Sequence, residues 1–220
     1  MKTLYLFDID GTLVNINKIH IDAYRMDYQS VGLKPSNELI LSAFGMSESD
    51  GLKKVLNGLG ANYDPPLAAR IMRSHRPNFI RALGRNSIDP LEGVVDFLDE
   101  LKADGQHIGV ISGNLEQIAG IILEKSGLLP FFSLSSFDFG GLSRVQIVQR
   151  AVARARTSNY DFKRVVVIGD TPYDIEAGKA ANTFTVGVAT GNHSLQELAK
   201  TADLALPSLK EYKKIIEKIK

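Results

Sequence analysis

The stretch Leu4-Tyr5-Leu6-Phe7-Asp8-Ile9-Asp10-Gly11-Thr12 joins a short apolar run to a group of polar residues. An apolar run of this length that ends in acids is typical of a buried parallel strand whose carboxyl end carries polar chemistry. Further runs of this kind predict strands at His107–Ile111, Val165–Ile168 and Phe184–Val188, with weaker candidates at Phe131–Leu134 and Leu204–Leu206.

Amphipathic helical patterns lie between these runs and after them. They cover Gly93–Asp104, Leu115–Lys125, Arg144–Arg156, Asp174–Ala181 and the Lys-rich segment Leu209–Lys220. Strands that alternate with helices of this length form parallel sheets with helices on both faces. The sequence therefore predicts an α/β fold built on a doubly wound, Rossmann-like parallel sheet.

The stretch from residue 15 to residue 85 breaks this alternation, because it contains no convincing strand. Its helical patterns, separated by Gly, Pro and Ser, are Ile21–Val31, Asn37–Phe44, Ser49–Leu59 and Pro66–Leu83. We expect an all-helical domain at 15–85, inserted into a core made of 1–14 plus 86–220. The last of these helices and its end carry a basic run that we interpret mainly as a solvated face: Arg70, Arg73, His75, Arg76, Arg81 and Arg85.

The composition narrows the classes of function. Of 220 residues, 44% are hydrophobic, 26 are Lys or Arg and 25 are Asp or Glu. The balanced charge gives no electrostatic case for nucleic acid as a main partner. The absence of cysteine excludes a disulfide, a thiolate metal site and a cysteine nucleophile. The apolar run near the N-terminus is too short for a signal peptide, and the acidic Asp8 follows it at once. No run approaches the roughly 20 apolar residues that a membrane helix needs. We expect a soluble, cytoplasmic protein.

Three of the strand exits are especially polar. They are Asp8–Thr12, Ser112-Gly113-Asn114 and the segment Gly169–Asp174, and they converge if their strands are neighbours. Acids brought together in this way raise one another's pKa unless a cation is present. Oxygen ligands without His or Cys favour Mg²⁺ as that cation.

A carboxylate can attack phosphorus and form an aspartyl phosphate. Asp8, nearer the strand, is the candidate nucleophile, and Asp10 is the candidate acid and base for the leaving group and the water. The Ser112 hydroxyl and the Gly113 amide are expected to hold the phosphate oxygens that are not transferred. A fixed cation is also expected near the phosphoryl group.

In order along the chain, Asp8-x-Asp10-Gly11-Thr12, Ser112 after an apolar strand, and Gly169-Asp170-x-x-x-Asp174 resemble three motifs of the haloacid dehalogenase (HAD) superfamily. The resemblance covers nearly the whole chain. The segments Gly109–Asn114 and Ile168–Ala177 look most like those of phosphoglycolate-phosphatase-like members. The helical insert looks like that superfamily's type 1 cap, which closes over the site and reads the leaving group.

The resemblance implies roles for individual residues. Asp8, Asp10 and Asp170 would bind Mg²⁺, Asp10 through its backbone carbonyl, and Asp174 would support the metal ligands from behind. Substrate contacts would come from Thr12, Ser112, Gly113, Asn114 and Arg144. The family usually has a Lys in its third motif, and the best position here is Arg144, in Gly140-Gly141-Leu142-Ser143-Arg144. Arg supplies the charge with a different reach, so the exchange is not neutral.

The expected function is hydrolysis of a small phosphorylated metabolite, with phosphoglycolate as a candidate by resemblance alone, by a monomer or a homodimer. Two alternatives remain. Phosphomutases of the superfamily tend to carry an Arg near Glu48, and its absence weighs against them. Receiver-like signalling domains also use acids and Mg²⁺, but they are shorter and have no insert. Asp170 and Asp174 also have a structural alternative, since Asp often caps the helix that follows it.

Overall fold

A computed structural model describes residues 2–44, 48–138 and 142–219. Residues 1, 45–47, 139–141 and 220 lie outside the described residues, as do the side chains of residues 48, 49 and 138; Gly45 to Ser47, Gly140 and Gly141 are among them. The chain divides into two compact units. One contains Met1–Asn15 and Ile88–Lys220, and the other contains Ile16–Ser87.

The first unit is built on a sheet of six parallel strands among the described residues. They are β1 (Thr3–Phe7), β2 (His107–Leu115), β3 (Leu134–Asp138), β4 (Arg164–Gly169), β5 (Phe184–Val188) and β6 (Leu204–Leu206). Their order is β3-β2-β1-β4-β5-β6. The chain thus winds in one direction from β1 and in the other from β4, which confirms the predicted doubly wound fold.

The helices of the described residues are α1 (Asn17–Gln29), α2 (Asn37–Leu41), α3 (Glu48–Gly58), α4 (Pro65–Arg85), α5 (Val94–Ala103), α6 (Glu116–Lys125), α7 (Arg144–Thr157), α8 (Pro172–Ala180), α9 (Leu195–Leu198) and α10 (Lys213–Ile219). Single 3-10 turns lie at Leu129–Phe131 and Leu209–Glu211. The predicted helix at Leu209–Lys220 is therefore wrong at its start, because Ser208 caps a separate turn there.

Helices cover both faces of the sheet. All five residues of β1 are buried, and successive side chains point to opposite faces. Leu4 and Leu6 pack in one cluster with residues of α7 and α8. On the other face, the rings of Tyr5 and Phe7 lie edge-on to Phe97 of α5, at 5.8 and 5.7 Å between ring centres. This double burial explains why β1 is an unbroken apolar run.

The predicted strand at Phe131–Leu134 is misplaced, because β3 begins only at Leu134. Pro130 has no amide hydrogen to donate to a ladder, and the chain around it forms a 3-10 turn instead. The strand then contains Ser135 and Ser136, which interrupt the apolar pattern by which a buried strand is recognised. Ser136 is fully buried, and its hydroxyl donates to the Ile147 carbonyl at 2.9 Å.

The helical unit has an apolar core of its own, which includes Tyr28, Leu56 and Ile71. The fully buried Asp27 of α1 also lies in this unit. Its carboxylate accepts hydrogen bonds from three side chains of α4, those of Ser74, His75 and Asn78, at 3.0, 2.6 and 2.8 Å. The arginines of the basic run are exposed, as expected for a solvated face, but His75 turns inward to this acid.

Within the described part of the chain, every helix is too short or too polar to cross a membrane.

Candidate active site

The polar strand exits lie along one edge of the sheet. Phe7 is level with Ile168 and with Val110 in the parallel register, so β1 and β4 end at the same edge, and β2 passes this edge before it ends at Leu115. Asp8 follows β1 directly, and its amide donates to the Ile168 carbonyl at 2.9 Å. Asp170 follows β4 directly. The sheet thereby places the motifs that contain Asp8 and Asp170 on adjacent strands at the switch in winding direction.

Three acids meet at this point. Carboxylate oxygens of Asp8, Asp170 and Asp174 all lie within 4.8 Å of one another. All three residues are buried, with 4%, 4% and 0% of their surface exposed. Like charges at this spacing in a buried setting repel strongly, so the cluster needs positive charge to ionise fully.

Arg144 supplies part of that charge from the first turn of α7, where Ser143 caps the helix and fixes its start. Its Nε donates to Asp174 Oδ1 at 2.6 Å, and its Nη2 lies 2.5 Å from the same oxygen. Nη2 also donates to Asp8 Oδ1. The guanidinium is thus shared between two of the three acids.

The acids keep raised pKa values even beside this arginine. Burial raises the pKa of Asp8 to about 7, against the lowering effect of Arg144 and with smaller raising effects from Asp174 and Asp10. Burial, followed by the charges of Asp8 and Asp174, raises the pKa of Asp170 to about 9. Burial lowers the pKa of Arg144, but Asp174 and Asp8 outweigh it and raise that pKa above its usual range. One guanidinium is therefore not enough to keep all three acids ionised near neutral pH.

The cluster fits a divalent cation. Asp170 Oδ1 is buried and has no hydrogen-bond partner among the described residues. A buried acceptor without a donor is costly unless a cation satisfies it. Three carboxylates without His or Cys form an oxygen donor set suited to a hard ion such as Mg²⁺. The carboxylates that gather here include that of Asp174, which sequence analysis places behind the metal ligands.

Asp10 faces β2. Its Oδ2 accepts a hydrogen bond of 2.6 Å from Asn114 Nδ2. Asn114 lies in an irregularity of β2, where the register to β3 shifts between Ser112 and Leu115. In the same irregularity the Asn114 amide donates to Ser112 Oγ at 3.1 Å. Bulges often redirect side chains at active sites, and this one brings Asn114 to Asp10.

The remaining predicted residues lie close by. A β-carbon added to Gly113 would be 3.8 Å from Arg144 Nη1, so this backbone passes near the guanidinium. Thr12 is buried, and its Oγ1 has no hydrogen-bond partner in the part of the chain that the structure describes. Asp174 also takes part in a capping box, because its Oδ2 accepts from the Thr171 amide and hydroxyl. The capping alternative for Asp174 therefore coexists with its place in the acid cluster.

Two further residues of this edge, Thr190 and Gly191, are not among those predicted from the sequence. They follow β5, which is the next strand after β4. Thr190 Oγ1 donates to the Gly11 carbonyl at 2.6 Å, and a β-carbon on Gly191 would overlap the Asp170 carboxylate. The available signal was the position of Ala189-Thr190-Gly191 at a fourth strand exit on the same edge.

The family model described as haloacid dehalogenase-like hydrolase matches residues 5–188. The chain belongs to this family. The match contains every residue of the acid cluster together with Arg144, and it confirms the resemblance seen in the sequence and the expectation of a hydrolase.

Several named proteins are similar to this HAD-family chain over most of its length. A phosphoglycolate phosphatase from Thiobacillus denitrificans is 28% identical over 209 residues, covering 94% of this chain and 92% of the relative. Pyrophosphatase PpaX from Oceanobacillus iheyensis is 26% identical over 185 residues, covering 84% of this chain and 82% of the relative. A crystal structure of CbbY from Rhodobacter sphaeroides in complex with phosphate is 19% identical, covers 96% of both chains and has a TM-score of 0.78. At that identity the structural likeness shows the fold.

Proposed function

We propose that this HAD-family chain is a Mg²⁺-dependent phosphatase that hydrolyses small phosphomonoesters through an aspartyl phosphate on Asp8. The observation that carries the proposal is the setting of Asp8. Its carboxylate lies buried at the end of β1, beside Arg144 and two further acids, with Asp10 two residues along the chain. This combines a nucleophile, a fixed cation and an acid in one place.

In the first step, the free oxygen of the Asp8 carboxylate attacks phosphorus. The bond between phosphorus and the ester oxygen breaks, and the leaving oxygen takes a proton from Asp10. Arg144 holds the other oxygen of Asp8, so it orients the nucleophile. In the second step, water attacks the phosphoryl group and gives its proton to Asp10, and the bond to Asp8 breaks. Asn114 keeps the Asp10 carboxylate in a fixed direction through both steps.

Other residues would hold the phosphoryl group. Ser112 Oγ and the Gly113 amide would donate to the phosphoryl oxygens whose bonds to phosphorus neither form nor break, and Thr12 Oγ1 is a further candidate. Asp8 and Asp170 would hold Mg²⁺, with Asp174 beside them and the Asp10 carbonyl as a further ligand implied by the family resemblance. When bound, the ion neutralises charge on the nucleophile and the phosphate.

The substrate belongs to the same proposal. The helical unit, Ile16–Ser87, would act as the cap that selects the leaving group. This role follows from the resemblance of the insert to a type 1 cap. The names of the relatives suggest two compounds for a substrate screen, phosphoglycolate and pyrophosphate. Both are small anions with a transferable phosphoryl group.

The test is a screen of phosphorylated metabolites with Mg²⁺, scored by released phosphate, with p-nitrophenyl phosphate as a generic substrate. Asp8→Asn should abolish turnover, while Asp99→Asn, on the exposed face of α5, should leave it unchanged. Chelation of Mg²⁺ should also abolish turnover, and added Mg²⁺ should restore it. Wild-type turnover by Asp8→Asn would show that the mechanism is wrong.

The same screen separates the alternatives. A phosphomutase would convert one sugar phosphate into another without net release of phosphate. A receiver-like domain would accept a single phosphoryl group and then stop, although membership of the HAD hydrolase family argues against this alternative.

A further inference from the structure

We propose that Thr190 and Gly191 are positioning residues for Asp170, and that they set the affinity of the acid cluster for Mg²⁺. The inference deepens the proposed function and rests on Asp170 acting as a metal ligand. It adds a fourth strand exit, the one after β5, to a site that otherwise uses the exits of β1, β2 and β4.

The Asp170 side chain lies between two glycine backbones. A β-carbon on Gly11 would be 2.6 Å from Asp170 Cγ, and a β-carbon on Gly191 would be 2.6 Å from the same atom. Both distances are far below van der Waals contact, so a side chain at either position would displace the carboxylate. The absence of a side chain at these two glycines therefore leaves room for the Asp170 carboxylate in its observed orientation.

The two glycines are required for different reasons. Gly11 has φ of +87°, so its backbone conformation alone favours glycine. Gly191 is not among the described residues with positive φ. Space beside Asp170 is therefore what excludes a side chain at Gly191.

Thr190 connects the loop that contains Gly191 to the turn that contains Gly11. Its hydroxyl donates to the Gly11 carbonyl at 2.6 Å, across 179 residues of sequence. This bond fixes the loop after β5 against the turn after β1. Without it, the distance between the glycines would no longer be held, and the Asp170 carboxylate would gain freedom.

Asp170 depends on this packing more than its neighbour Asp174 does. Both Asp174 oxygens accept hydrogen bonds, Oδ1 from Arg144 and Oδ2 from Thr171. Asp170 Oδ1 has no such partner among the described residues. Asp170 Oδ1, the oxygen left for a cation, therefore lacks the hydrogen bonds that hold both oxygens of Asp174, and the backbones of Gly11 and Gly191 lie against the Asp170 carboxylate.

The test measures Mg²⁺ binding without substrate, by calorimetric titration and by the rise in melting temperature with added Mg²⁺. Gly191→Ala and Thr190→Val should weaken Mg²⁺ binding by about 10- to 100-fold, the range typical of residues that orient metal ligands. Thr190→Ser, which keeps the hydroxyl, should restore most of the affinity. Gly120→Ala is the matched control, because a β-carbon there meets nothing within 4 Å.

Steady-state kinetics provide the second readout. In both variants the Mg²⁺ concentration for half-maximal turnover should rise, while turnover at saturating Mg²⁺ should recover substantially. Wild-type Mg²⁺ affinity in a folded Gly191→Ala protein would overturn the inference and leave the proposed function standing. If Gly191→Ala does not fold, wild-type affinity in Thr190→Val overturns it. Absence of Mg²⁺ binding by the unsubstituted protein would overturn both proposals.

Discussion

Arg144 is the residue in which this chain departs most clearly from the motif pattern that it resembles. Its guanidinium reaches Asp8 and Asp174 together, with Nε and Nη2 both directed at Asp174 Oδ1. A lysine has one terminal nitrogen and cannot present two separate donors in a plane. The arginine thus connects the nucleophile to the acid behind it.

Arg144→Lys should keep the charge but lose part of this connection, and kcat should fall about 10-fold. Arg144→Ala should lower kcat by about 100- to 1,000-fold, as for the loss of a donor that stabilises transition-state charge. It should also cost about 3 kcal/mol of unfolding free energy, because buried acids lose their partner. Phosphate release and urea unfolding measure the two effects. Arg156→Ala, at an exposed arginine of the same helix, is the control, and full activity in Arg144→Lys would refute the argument.

The raised pKa values of Asp8 and Asp170 predict how stability depends on pH. Both folded-state values, about 7 and about 9, lie above the ordinary value of 3.8. The folded protein therefore binds more protons than the unfolded chain across this window. The free energy of unfolding of the metal-free protein should fall as pH rises from about 4 to about 9.

Mg²⁺ competes with these protons, so its stabilising effect should grow with pH. The difference in melting temperature between Mg²⁺ and chelator should be larger at about pH 8.5 than at about pH 6. Thermal melts across this range check the expectation. In Asp170→Asn, the difference in melting temperature between Mg²⁺ and chelator should vary less with pH. If this difference does not vary with pH in the unsubstituted protein, the expectation is wrong.

At the level of single residues, sequence predicts the acids well and their partners poorly. Asp8 and Asp170 follow apolar strands, and that local pattern predicts both at the carboxyl edge of a parallel sheet. The bond from Asn114 to Asp10 depends on a bulge in β2, which no hydropathy pattern reveals. Thr190 and Gly191 act across 179 residues of sequence, so only the folded sheet brings them to Gly11.

Among the secondary-structure elements, α8 links helix stability to the site. Thr171 caps this helix, and Asp174 completes the capping box with an oxygen while its other oxygen binds Arg144. The helix α9 has an equivalent capping box, made by Ser194 and Glu197, without any acid of the cluster. The two helices form a natural pair for comparison.

Thr171→Ala and Ser194→Ala should each cost about 1 kcal/mol of unfolding free energy, the typical value for loss of an N-cap. Only Thr171→Ala should also lower kcat, because it removes the hydroxyl that donates a hydrogen bond to Asp174 Oδ2 and helps to hold this carboxylate in place. Denaturant unfolding and phosphate release, measured on both variants, separate the effects. An equal loss of activity in the two variants would show that stability alone accounts for it.

The elements that sequence predicts correctly are those with long apolar patterns, such as β1, β4, β5 and α7. The predicted position of β3 is wrong because the strand contains buried serines, whose hydroxyls are satisfied only by tertiary contacts such as Ser136 to Ile147. The prediction of a solvated face likewise fails at His75, because its Nδ1 lies 2.6 Å from a carboxylate oxygen of Asp27, which is 48 residues away in sequence. Pairings of this kind require the assembled helices.

At the scale of the whole molecule, the two core segments that flank the helical insert pair with each other. Val14 forms an antiparallel bridge with Pro90, and the Leu91 amide donates to the Leu13 carbonyl at 2.9 Å. The core chain therefore leaves and returns at adjacent positions. An insertion with adjacent ends can be removed with little strain on the remaining fold.

Joining Asn15 to Ile88 through about two to four Gly or Ser residues should leave a core that folds cooperatively and binds Mg²⁺. All acids of the cluster remain in this shortened chain. Its hydrolysis of p-nitrophenyl phosphate should be retained in part, whereas discrimination among metabolites should be lost. Circular dichroism melts, Mg²⁺ titration and the metabolite screen test this. A shortened chain without a cooperative transition would contradict it.

The position of β1 inside the sheet also determines when catalysis becomes available during synthesis. Leu4 pairs with His107 and Thr3 pairs with Arg164, so both neighbours of β1 are made long after it. A ribosome that has produced Asp8 must still add α8 before Asp174 exists. Arrested nascent chains of increasing length should therefore remain inactive until the segment around β4, α8 and β5 has emerged from the exit tunnel. The helical unit, with its own apolar core within Ile16–Ser87, can meanwhile fold first.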